Sequence, residues 1–473
     1  MIDQMIEENG VYRHPEYNAD IVSLKDGSET LLEMFFNVVK RSYDNDFLGT
    51  LNERSDKVVY ESYGSIFRKS LVFGEYVLNL KNKMAENANF SETSAKNRNT
   101  KVNRSVDVSS NYSSNSSMPY VLDSPNDEDK ELIGIFSVNR AEWIISEYAI
   151  YYSDSTNCPL YSSFGIESLK HILTETSMRI CFISGVKAES LYNDVISKFE
   201  TSLEHLICYD ELSDELVSNL CEKGVKVHYF DDILGEYDRT WSERCESEDD
   251  KSNESSNSIS TSDDSNSMRI TNRIEGSQEK GYLNSSRDSG KNVNSSCDSG
   301  KNLQSKHEND LNKNTKRVKM PLNVLQAPKK ELFECFNSAF LKGTDIATIC
   351  YTSGTSGLPK GVILSHKNFI VTAAGFLRCR GTSDQFKISS EDVYISYLPL
   401  AHVMERVCVV VTTCNGAKIG FFRGNPKCLQ QDIKTIKPTF FVGVPRVFNV
   451  FEKKSKKKLP KRVFLPISSS TCV

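Results

Sequence analysis

An α/β fold with layered, mostly parallel sheets is the architecture that this 473-residue sequence predicts. Short apolar runs alternate with helix-spaced segments between residues 131 and 237, a pattern typical of parallel strands joined by crossover helices. A second strand-rich region begins near residue 346, beyond a long polar stretch. The length is enough for two or three domains with a sizeable core.

The first of these regions divides into four strands and three helices. Each strand is a short apolar run, and each helix shows apolar side chains at helical spacing. The predicted strands are residues 132–137, 179–184, 205–209 and 225–230, and the predicted helices are residues 142–152, 168–175 and 188–199. Trp143, on the first helix, is expected to be a core aromatic residue.

Two polar stretches interrupt the pattern. Residues 251–310 contain 16 serines and 9 asparagines among 60 positions, too few apolar groups to offset the entropy of ordering. A short segment in this stretch recurs ten residues later, which indicates low-complexity expansion. The predicted organisation is an N-terminal subdomain (1–83), a low-complexity insertion (84–128), an α/β subdomain (129–238), a disordered insertion (239–325), a second subdomain with a glycine-rich loop (326–451) and a basic tail (452–473).

Composition excludes several classes of protein. The net charge is −5, from 58 basic and 63 acidic residues, so no global basic field predicts nucleic-acid binding. The 13 cysteines are scattered without metal-binding spacing, which is typical of a reduced, cytoplasmic protein. No signal peptide and no transmembrane segment is predicted. Peripheral attachment to the cytosolic face of the endoplasmic reticulum or another membrane is left open as an alternative.

The motif that carries chemistry is a loop between two predicted strands, residues 346–351 and 362–364. Its sequence, residues 352–361, reads TSGTSGLPKG. Glycines let backbone N–H groups approach a polyphosphate, hydroxyls donate to its oxygens or bind a cation, and Lys360 supplies a point charge. The loop is therefore predicted to bind an anion.

Two other interpretations of this loop were weighed. A Walker-type loop is excluded, because Pro359 stands before the lysine where a glycine is required, and Gly361 follows where a serine or threonine is required. A surface hairpin tip explains the glycines Gly354 and Gly357 but not four hydroxyls beside a lysine. The four hydroxyls and the lysine therefore favour phosphate binding over a simple turn.

At this point the sequence resembles a known family. Residues 351–361, extended through Ser365 and His366, look like the phosphate-binding loop of the AMP-forming, adenylate-forming enzymes. Residues 395–407, which read ISYLPLAHVMERV, resemble the segment with a histidine near the acyl pocket in long-chain fatty acid CoA ligases. Residues 432–448 are typical of the same branch, and residues 134–143 look like its first subdomain.

The resemblance implies an activity and a set of site residues. A fatty carboxylate would attack the α-phosphate of ATP, pyrophosphate would leave, and the thiol of coenzyme A would displace AMP, with no protein nucleophile. The ATP phosphates would be held by Thr352, Ser353, Gly354, Thr355, Ser356, Gly357 and Lys360. Thr355 is also expected to help bind Mg²⁺, and His402 to lie beside the adenylate and the acyl carboxylate. A lone histidine would more often be structural, and an ion pair or a helix surface would explain Glu405 and Arg446.

The sequence departs from the family after residue 451. The family's later adenine and ribose motifs and its C-terminal domain with a catalytic lysine are not found, so we expect the chain to be truncated and inactive alone. A non-catalytic nucleotide- or acyl-binding remnant is the alternative function, and a luciferase-like or carrier-protein-charging enzyme is a third. Seven of the ten residues from 453 to 462 are basic. This run fits a solvated tail, attachment to anionic lipid, or a shifted reading frame.

Overall fold

Two β-sheets with helices packed on their faces form the part of the chain that the computed structural model describes. The described residues are 6–8, 11–13, 23–52, 54, 56–96, 130–237, 324–352, 357–378 and 388–454. They belong to the unit formed by Met1–Trp241 and Arg317–Val473.

Thirteen strands are found in the described residues. In chain order they are β1 (Ile6–Glu8), β2 (Val11–Arg13), β3 (Asp46–Leu51), β4 (Val58–Ser62), β5 (Leu132–Phe136), β6 (Thr156–Pro159), β7 (Ile180–Ile183), β8 (His205–Cys208), β9 (Lys226–Tyr229), β10 (Ile346–Thr352), β11 (Lys360–Ser365), β12 (Val393–Ser396) and β13 (Lys418–Phe421). The pair β1 and β2 forms a separate antiparallel ribbon.

The larger sheet has seven strands in the order β11-β10-β6-β5-β7-β8-β9. All neighbouring strands in it run parallel except β10 and β11. The smaller sheet has the order β12-β13-β3-β4, with only the last pair antiparallel. Strands β6, β7 and β8 are buried along their whole length, as expected when helices cover both faces of a parallel sheet. The predicted α/β fold with mostly parallel sheets is confirmed.

The helices lie between the two sheets and on the outer faces of both. They include α1 (Leu31–Ser42), α2 (Tyr63–Lys96), α3 (Ala141–Tyr152), α4 (Ile166–Thr176), α5 (Gly185–Leu191), α6 (Asp214–Glu222), α7 (Lys329–Cys335), α8 (His366–Arg378), α9 (Val403–Thr413), α10 (Leu429–Ile436) and α11 (Pro445–Lys454). Helix α3 contacts β5 and β6 of the larger sheet and β3 of the smaller one. Because it is enclosed on all sides, nearly all of its residues are buried. Trp143 is among them, which confirms it as a core aromatic residue.

Most of the predicted elements are present with ends shifted by a few residues. One prediction differs in kind: the single helix expected over residues 188–199 is α5 followed by a π-helical turn at Tyr192–Ile196. The turn places Val195 and Ile196 in the apolar cluster on the outer face of the larger sheet. Wider helical turns of this kind are set by packing and have no simple sequence period.

Two predicted domain boundaries need correction. Helix α2 continues to Lys96, so the insertion predicted from residue 84 begins inside a helix whose Met84 side chain is buried. Val324, placed in the predicted insertion 239–325, is buried, and its carbonyl accepts a 2.6 Å hydrogen bond from Arg68. The rest of both insertions, residues 97–128 and 239–323, lies outside the described residues.

No described helix is both long enough and apolar enough to cross a membrane. The predicted basic tail begins within α11, which ends at Lys454, and the remainder of the tail lies outside the described residues.

Candidate functional site

The predicted loop closes a β-hairpin between β10 and β11. The antiparallel register pairs Thr352 with Lys360, so these two residues stand at the mouth of the loop. Both side chains are exposed, as is Gly357 within the loop. Four predicted phosphate ligands lie outside the described residues, namely Ser353, Gly354, Thr355 and Ser356. The placement of the loop between two strands is confirmed, and its role in phosphate binding stays a prediction.

The hairpin mouth lies at the carboxyl edge of the larger sheet. Strand β10 runs parallel to β6, with Thr348 paired to Asn157, and β6 runs parallel to β5. Segments that leave β5, β6 and β10 at their carboxyl ends therefore meet at one edge. Ligands of open α/β sheets bind at this edge, outside the carboxyl ends of the strands.

Helix α4 supports both sides of the hairpin. The His171 ring lies with its Nε2 3.1 Å from the Pro359 carbonyl oxygen, at the end of the loop. One turn further along α4, Glu175 accepts a 2.7 Å hydrogen bond from the Tyr351 hydroxyl, just before the loop. Sequence reasoning assigned no role to either α4 side chain, because both contacts join residues far apart in the chain. They fix the base of the loop to a packed helix.

One glycine of the motif has a packing role. A Cβ added at Gly361 would lie 2.8 Å from the Ile349 Cγ2 atom on the facing strand. Such a contact is too close for an ordinary side chain, so the pairing of β10 with β11 requires glycine here. This position is explained by the hairpin itself and needs no ligand.

His402 caps the helix that carries the second motif. It is the N-cap of α9, and its Nδ1 atom accepts a 3.1 Å hydrogen bond from the backbone N–H of Met404. An accepting Nδ1 places the ring proton of the neutral imidazole on Nε2. Desolvation lowers the pKa of His402, which favours this neutral form. The exposed ring stands edge-on to Tyr161, with 6.2 Å between ring centroids.

The position of Tyr161 relates His402 to the hairpin loop between β10 and β11. Tyr161 follows β6 by two residues, and β6 is the neighbour of β10 in the larger sheet. His402 therefore reaches the same carboxyl edge as Thr352 and Lys360. The structure brings together the two motifs that the sequence singled out separately.

Asn139 joins the two sheets, and it lies in the segment 134–143, in which the sequence analysis assigned it no role. Asn139 follows β5 and is buried, and its Nδ2 donates to Ser396 Oγ at 2.9 Å and to the Leu398 carbonyl at 2.6 Å. Its Oδ1 accepts from the backbone N–H of Leu400 at 2.9 Å. All three partners belong to the segment that leads from β12 to His402. A polar residue directly after an apolar strand is the only sequence signal for this contact.

Glu405 lies in the first turn of α9 and is fully buried. Its carboxylate accepts a 2.7 Å hydrogen bond from the Tyr394 hydroxyl, while Oε1 has no hydrogen-bond partner among the described residues. Burial raises the pKa of Glu405 to about 8, against the smaller opposing effect of the Ser396 and Tyr394 hydroxyls. The carboxyl group is therefore protonated and neutral near pH 7, and it packs in the core.

The buried ion pair of this motif belongs to Arg406. Its guanidinium pairs with Glu147 on α3 and donates to the Tyr151 hydroxyl at 2.7 Å, and it lies 3.6 Å from the Cys350 sulfur on β10. This contact connects α9 and α3 with the strand that enters the phosphate loop. The other candidate, Arg446 on α11, is exposed.

The described residues contain no cluster of three or more His, Cys, Asp or Glu side chains arranged to bind a metal ion. Thr355, the predicted magnesium ligand, is outside them. The described chain therefore offers an exposed threonine and an exposed lysine at a sheet edge, a donor set suited to an anion.

Comparison with known proteins identifies the family. The family model described as "AMP-binding enzyme" matches residues 125–466, more than half of the chain. The human long-chain-fatty-acid–CoA ligase 1 is 28% identical over 320 residues, covering 67% of this chain and 32% of the human protein. Rat long-chain-fatty-acid–CoA ligase 5 is 28% identical over 338 residues, covering 71% of this chain and 35% of the rat protein. The chain thus spans about a third of the length of these curated relatives.

A more similar but shorter match is the peroxisomal long chain acyl-CoA synthetase 6 of Arabidopsis thaliana, 48% identical over 108 residues, which are 23% of this chain and 15% of that protein. Among solved structures, the A domain of the carboxylic acid reductase of Segniliparus rugosus, in complex with AMP and a carboxylic acid, has a TM-score of 0.51. It is 14% identical, and the match covers 90% of this chain and 50% of that one, which supports the fold alone. Because the family model matches more than half of the chain, the chain belongs to the AMP-binding enzyme family.

Proposed function

We propose that this chain is the nucleotide- and acyl-binding part of a long-chain fatty acid–CoA ligase. The proposed reaction joins a fatty carboxylate to ATP, releases pyrophosphate, and then transfers the acyl group to coenzyme A with release of AMP. The observation that carries the proposal is the common position of two motifs: the hairpin mouth at Thr352 and Lys360 and the ring of His402 lie at one carboxyl edge. The long-chain acyl substrate is proposed from the resemblance of residues 395–407 and from the relatives at 28% identity.

The phosphate loop would act by electrostatic stabilisation. As a carboxylate oxygen attacks the α-phosphorus, the bond to pyrophosphate breaks and negative charge builds on the phosphate oxygens. The ammonium of Lys360, the hydroxyl of Thr352 and the loop N–H groups would oppose that charge in positions set before the reaction. Magnesium that enters with ATP would share this charge, and we propose Thr355 as the hydroxyl nearest to it.

The geometry of His402 supports a role as a hydrogen-bond donor. Because Nδ1 accepts from Met404, Nε2 carries the proton and can donate to the acyl carboxylate or to the adenylate. The neutral ring also avoids fixing the carboxylate in a strong ion pair, which would lower its nucleophilicity. We assign His402 to orienting the acyl group.

Four cysteines of the described chain are poor candidates for a protein nucleophile. Burial raises the pKa of Cys208 and of Cys414 to about 12 and holds those of Cys158 and Cys181 well above the ordinary thiol value. Thiols in such surroundings stay protonated at neutral pH, and only a thiolate is a good nucleophile. The thiol that displaces AMP would then come from coenzyme A.

The test is ATP–pyrophosphate exchange by the full-length protein, which isolates the adenylation step from the later thioester step. We expect exchange that depends on a long-chain fatty acid such as palmitate and is much slower with hexanoate, acetate or amino acids. The second step is measured separately as palmitoyl-CoA formed after addition of coenzyme A.

Three results would contradict the proposal in different ways. ATP binding without exchange on any acid supports a non-catalytic remnant. Exchange that favours amino acids or short acids overturns the long-chain assignment. Exchange with palmitate but transfer only to an acceptor other than coenzyme A makes the protein a different member of the family.

A further inference from the structure

Asn139 uses all of its hydrogen-bonding groups on one short segment. The amide nitrogen donates to the Ser396 hydroxyl at 2.9 Å and to the Leu398 carbonyl at 2.6 Å, and the amide oxygen accepts from the Leu400 N–H at 2.9 Å. The Leu398 carbonyl can only accept and the Leu400 N–H can only donate, so the orientation of the amide is determined. The side chain is 7% exposed, which shields these bonds from water.

The segment it holds ends at His402. After Leu400 the chain turns, with the His402 N–H donating to the Pro399 carbonyl at 2.8 Å, and α9 then begins. The segment leaves β12 at the carboxyl end of the smaller sheet, whereas Asn139 follows β5 at the carboxyl end of the larger sheet. The three bonds therefore set the position of the His402 turn relative to the edge that carries the phosphate loop.

Burial of Leu400 and the Arg406–Glu147 pair hold the two ends of this region in the core, but the main chain between them has no strand pairing. The Leu398 carbonyl and the Leu400 N–H are not paired in a strand, because β12 ends at Ser396. The ring of His402 contacts the larger sheet through Tyr161 alone among the ring contacts of the described residues, at 6.2 Å between centroids. A packing contact of this kind permits sliding, whereas three directed hydrogen bonds do not.

We propose that Asn139 is a positioning residue for adenylation. It fixes the turn that carries His402, so that the proton on His402 Nε2 points to the acyl carboxylate. This inference rests on the proposed function for its catalytic consequence, while the contact itself concerns this chain alone. Among the described residues the side-chain hydrogen bonds of Asn139 all go to the segment 396–400, so we expect its effect to reach the reaction through His402.

The variants are chosen to separate positioning from stability. Asn139→Ala removes all three bonds, and Asn139→Asp keeps the shape and the acceptor for Leu400 but loses both N–H donors. Asn415→Ala is the matched control, because its amide donates to the Val411 carbonyl at the opposite end of α9, at 2.7 Å. Urea unfolding of each variant establishes that the compared proteins are folded.

The kinetic test is a double-mutant cycle in ATP–pyrophosphate exchange by the full-length protein. We expect Asn139→Ala to lower kcat by about 10²-fold, the effect of misplacing a reacting group by an ångström, and to change KM for ATP by less than about 3-fold. In a His402→Ala background the same change should lower kcat by less than about 2-fold. Equal losses in both backgrounds would show a general structural role and overturn the proposal.

A second readout does not depend on activity. The protein has seven histidines, and His402→Gln assigns the His402 signals in a ¹H–¹⁵N spectrum of the imidazole rings. We expect the parent and Asn415→Ala to show the same His402 signals, with the proton on Nε2, and Asn139→Ala to show shifted or broadened His402 signals because the ring has moved from its surroundings beside Tyr161. Unchanged His402 signals in folded Asn139→Ala would overturn the proposal. If Asn139→Ala shifts the His402 signals but the parent shows no exchange activity, the proposed function alone is refuted.

Discussion

The buried ion pair between Arg406 and Glu147 offers a quantitative test of how the site is supported. The two side chains are 2% and 8% exposed, and they join α9 to α3. The Tyr151 hydroxyl accepts from Arg406 at 2.7 Å and donates to Glu147 at 2.9 Å, which completes a three-residue network. The Nε atom of Arg406 has no hydrogen-bond partner among the described residues, so the guanidinium is only partly satisfied.

The perturbation is Arg406→Met, which keeps the apolar stem and removes the charge. The Glu147 carboxylate is then left buried with two weaker donors, the Tyr151 hydroxyl and the Asn157 amide at 3.4 Å. Removing one partner of a buried pair costs about 3 to 5 kcal/mol, because the other charge loses its compensation. Removing both charges, in Arg406→Met with Glu147→Leu, should cost less than about 2 kcal/mol, since the incompletely bonded pair contributes little net stability.

The assay is urea unfolding of the parent, both single variants and the double variant. Arg179→Met is the matched control, because Arg179 is 33% exposed and its pair with Glu131 is partly solvated. We expect a loss of less than about 1 kcal/mol there. If the double variant is as unstable as the sum of the two single variants, the two charges do not compensate each other and the reasoning is refuted.

Two further predictions concern groups that adjoin the site. Glu405→Gln should remove one contribution to the pH dependence of stability. Because the pKa of Glu405 is raised from 4.5 to about 8 in the folded chain, the parent should lose about 1.4 kcal/mol per pH unit relative to the variant as the pH rises between these values. Parallel stability curves from urea unfolding at pH 5, 6.5 and 8 would contradict this. Tyr63→Phe should cost about 1 to 2 kcal/mol, because the buried Tyr63 hydroxyl donates to the Ala417 carbonyl at 2.7 Å, and an unchanged unfolding midpoint would contradict it.

The larger sheet could be predicted from the sequence because its signals are local. Strands such as residues 132–137 are apolar runs beside helices with clear spacing, and the hairpin loop is marked by its own glycines and hydroxyls. The smaller sheet carries weaker local signals, and its strand β13 pairs with β3 over a separation of several hundred residues. Such pairing is decided by packing in the folded chain.

In the candidate site, too, residues in continuous motifs could be predicted, and residues that depend on long-range contacts could not. Lys360 and His402 were found from their motifs, because each motif is continuous in the sequence. Asn139 was not assigned a role, because its partners lie more than 250 positions away and only the folded chain brings them together. The buried pair of Arg406 was missed for the same reason, while the neighbouring Glu405 was considered as an ion-pair candidate and is neutral.

The central claim is that the hairpin between β10 and β11 binds the phosphates of ATP, and Lys360 tests it most directly. The measurement is the Kd for ATP, by calorimetry, of the parent, Lys360→Ala, Lys360→Arg and the control Lys330→Ala, whose lysine is exposed on α7. We expect Lys360→Ala to weaken binding by about 10- to 150-fold, the equivalent of a charge-assisted contact of about 1.5 to 3 kcal/mol, with only partial recovery in Lys360→Arg. A Kd for Lys360→Ala equal to those of the parent and of Lys330→Ala would contradict the claim and leave the loop an ordinary surface hairpin.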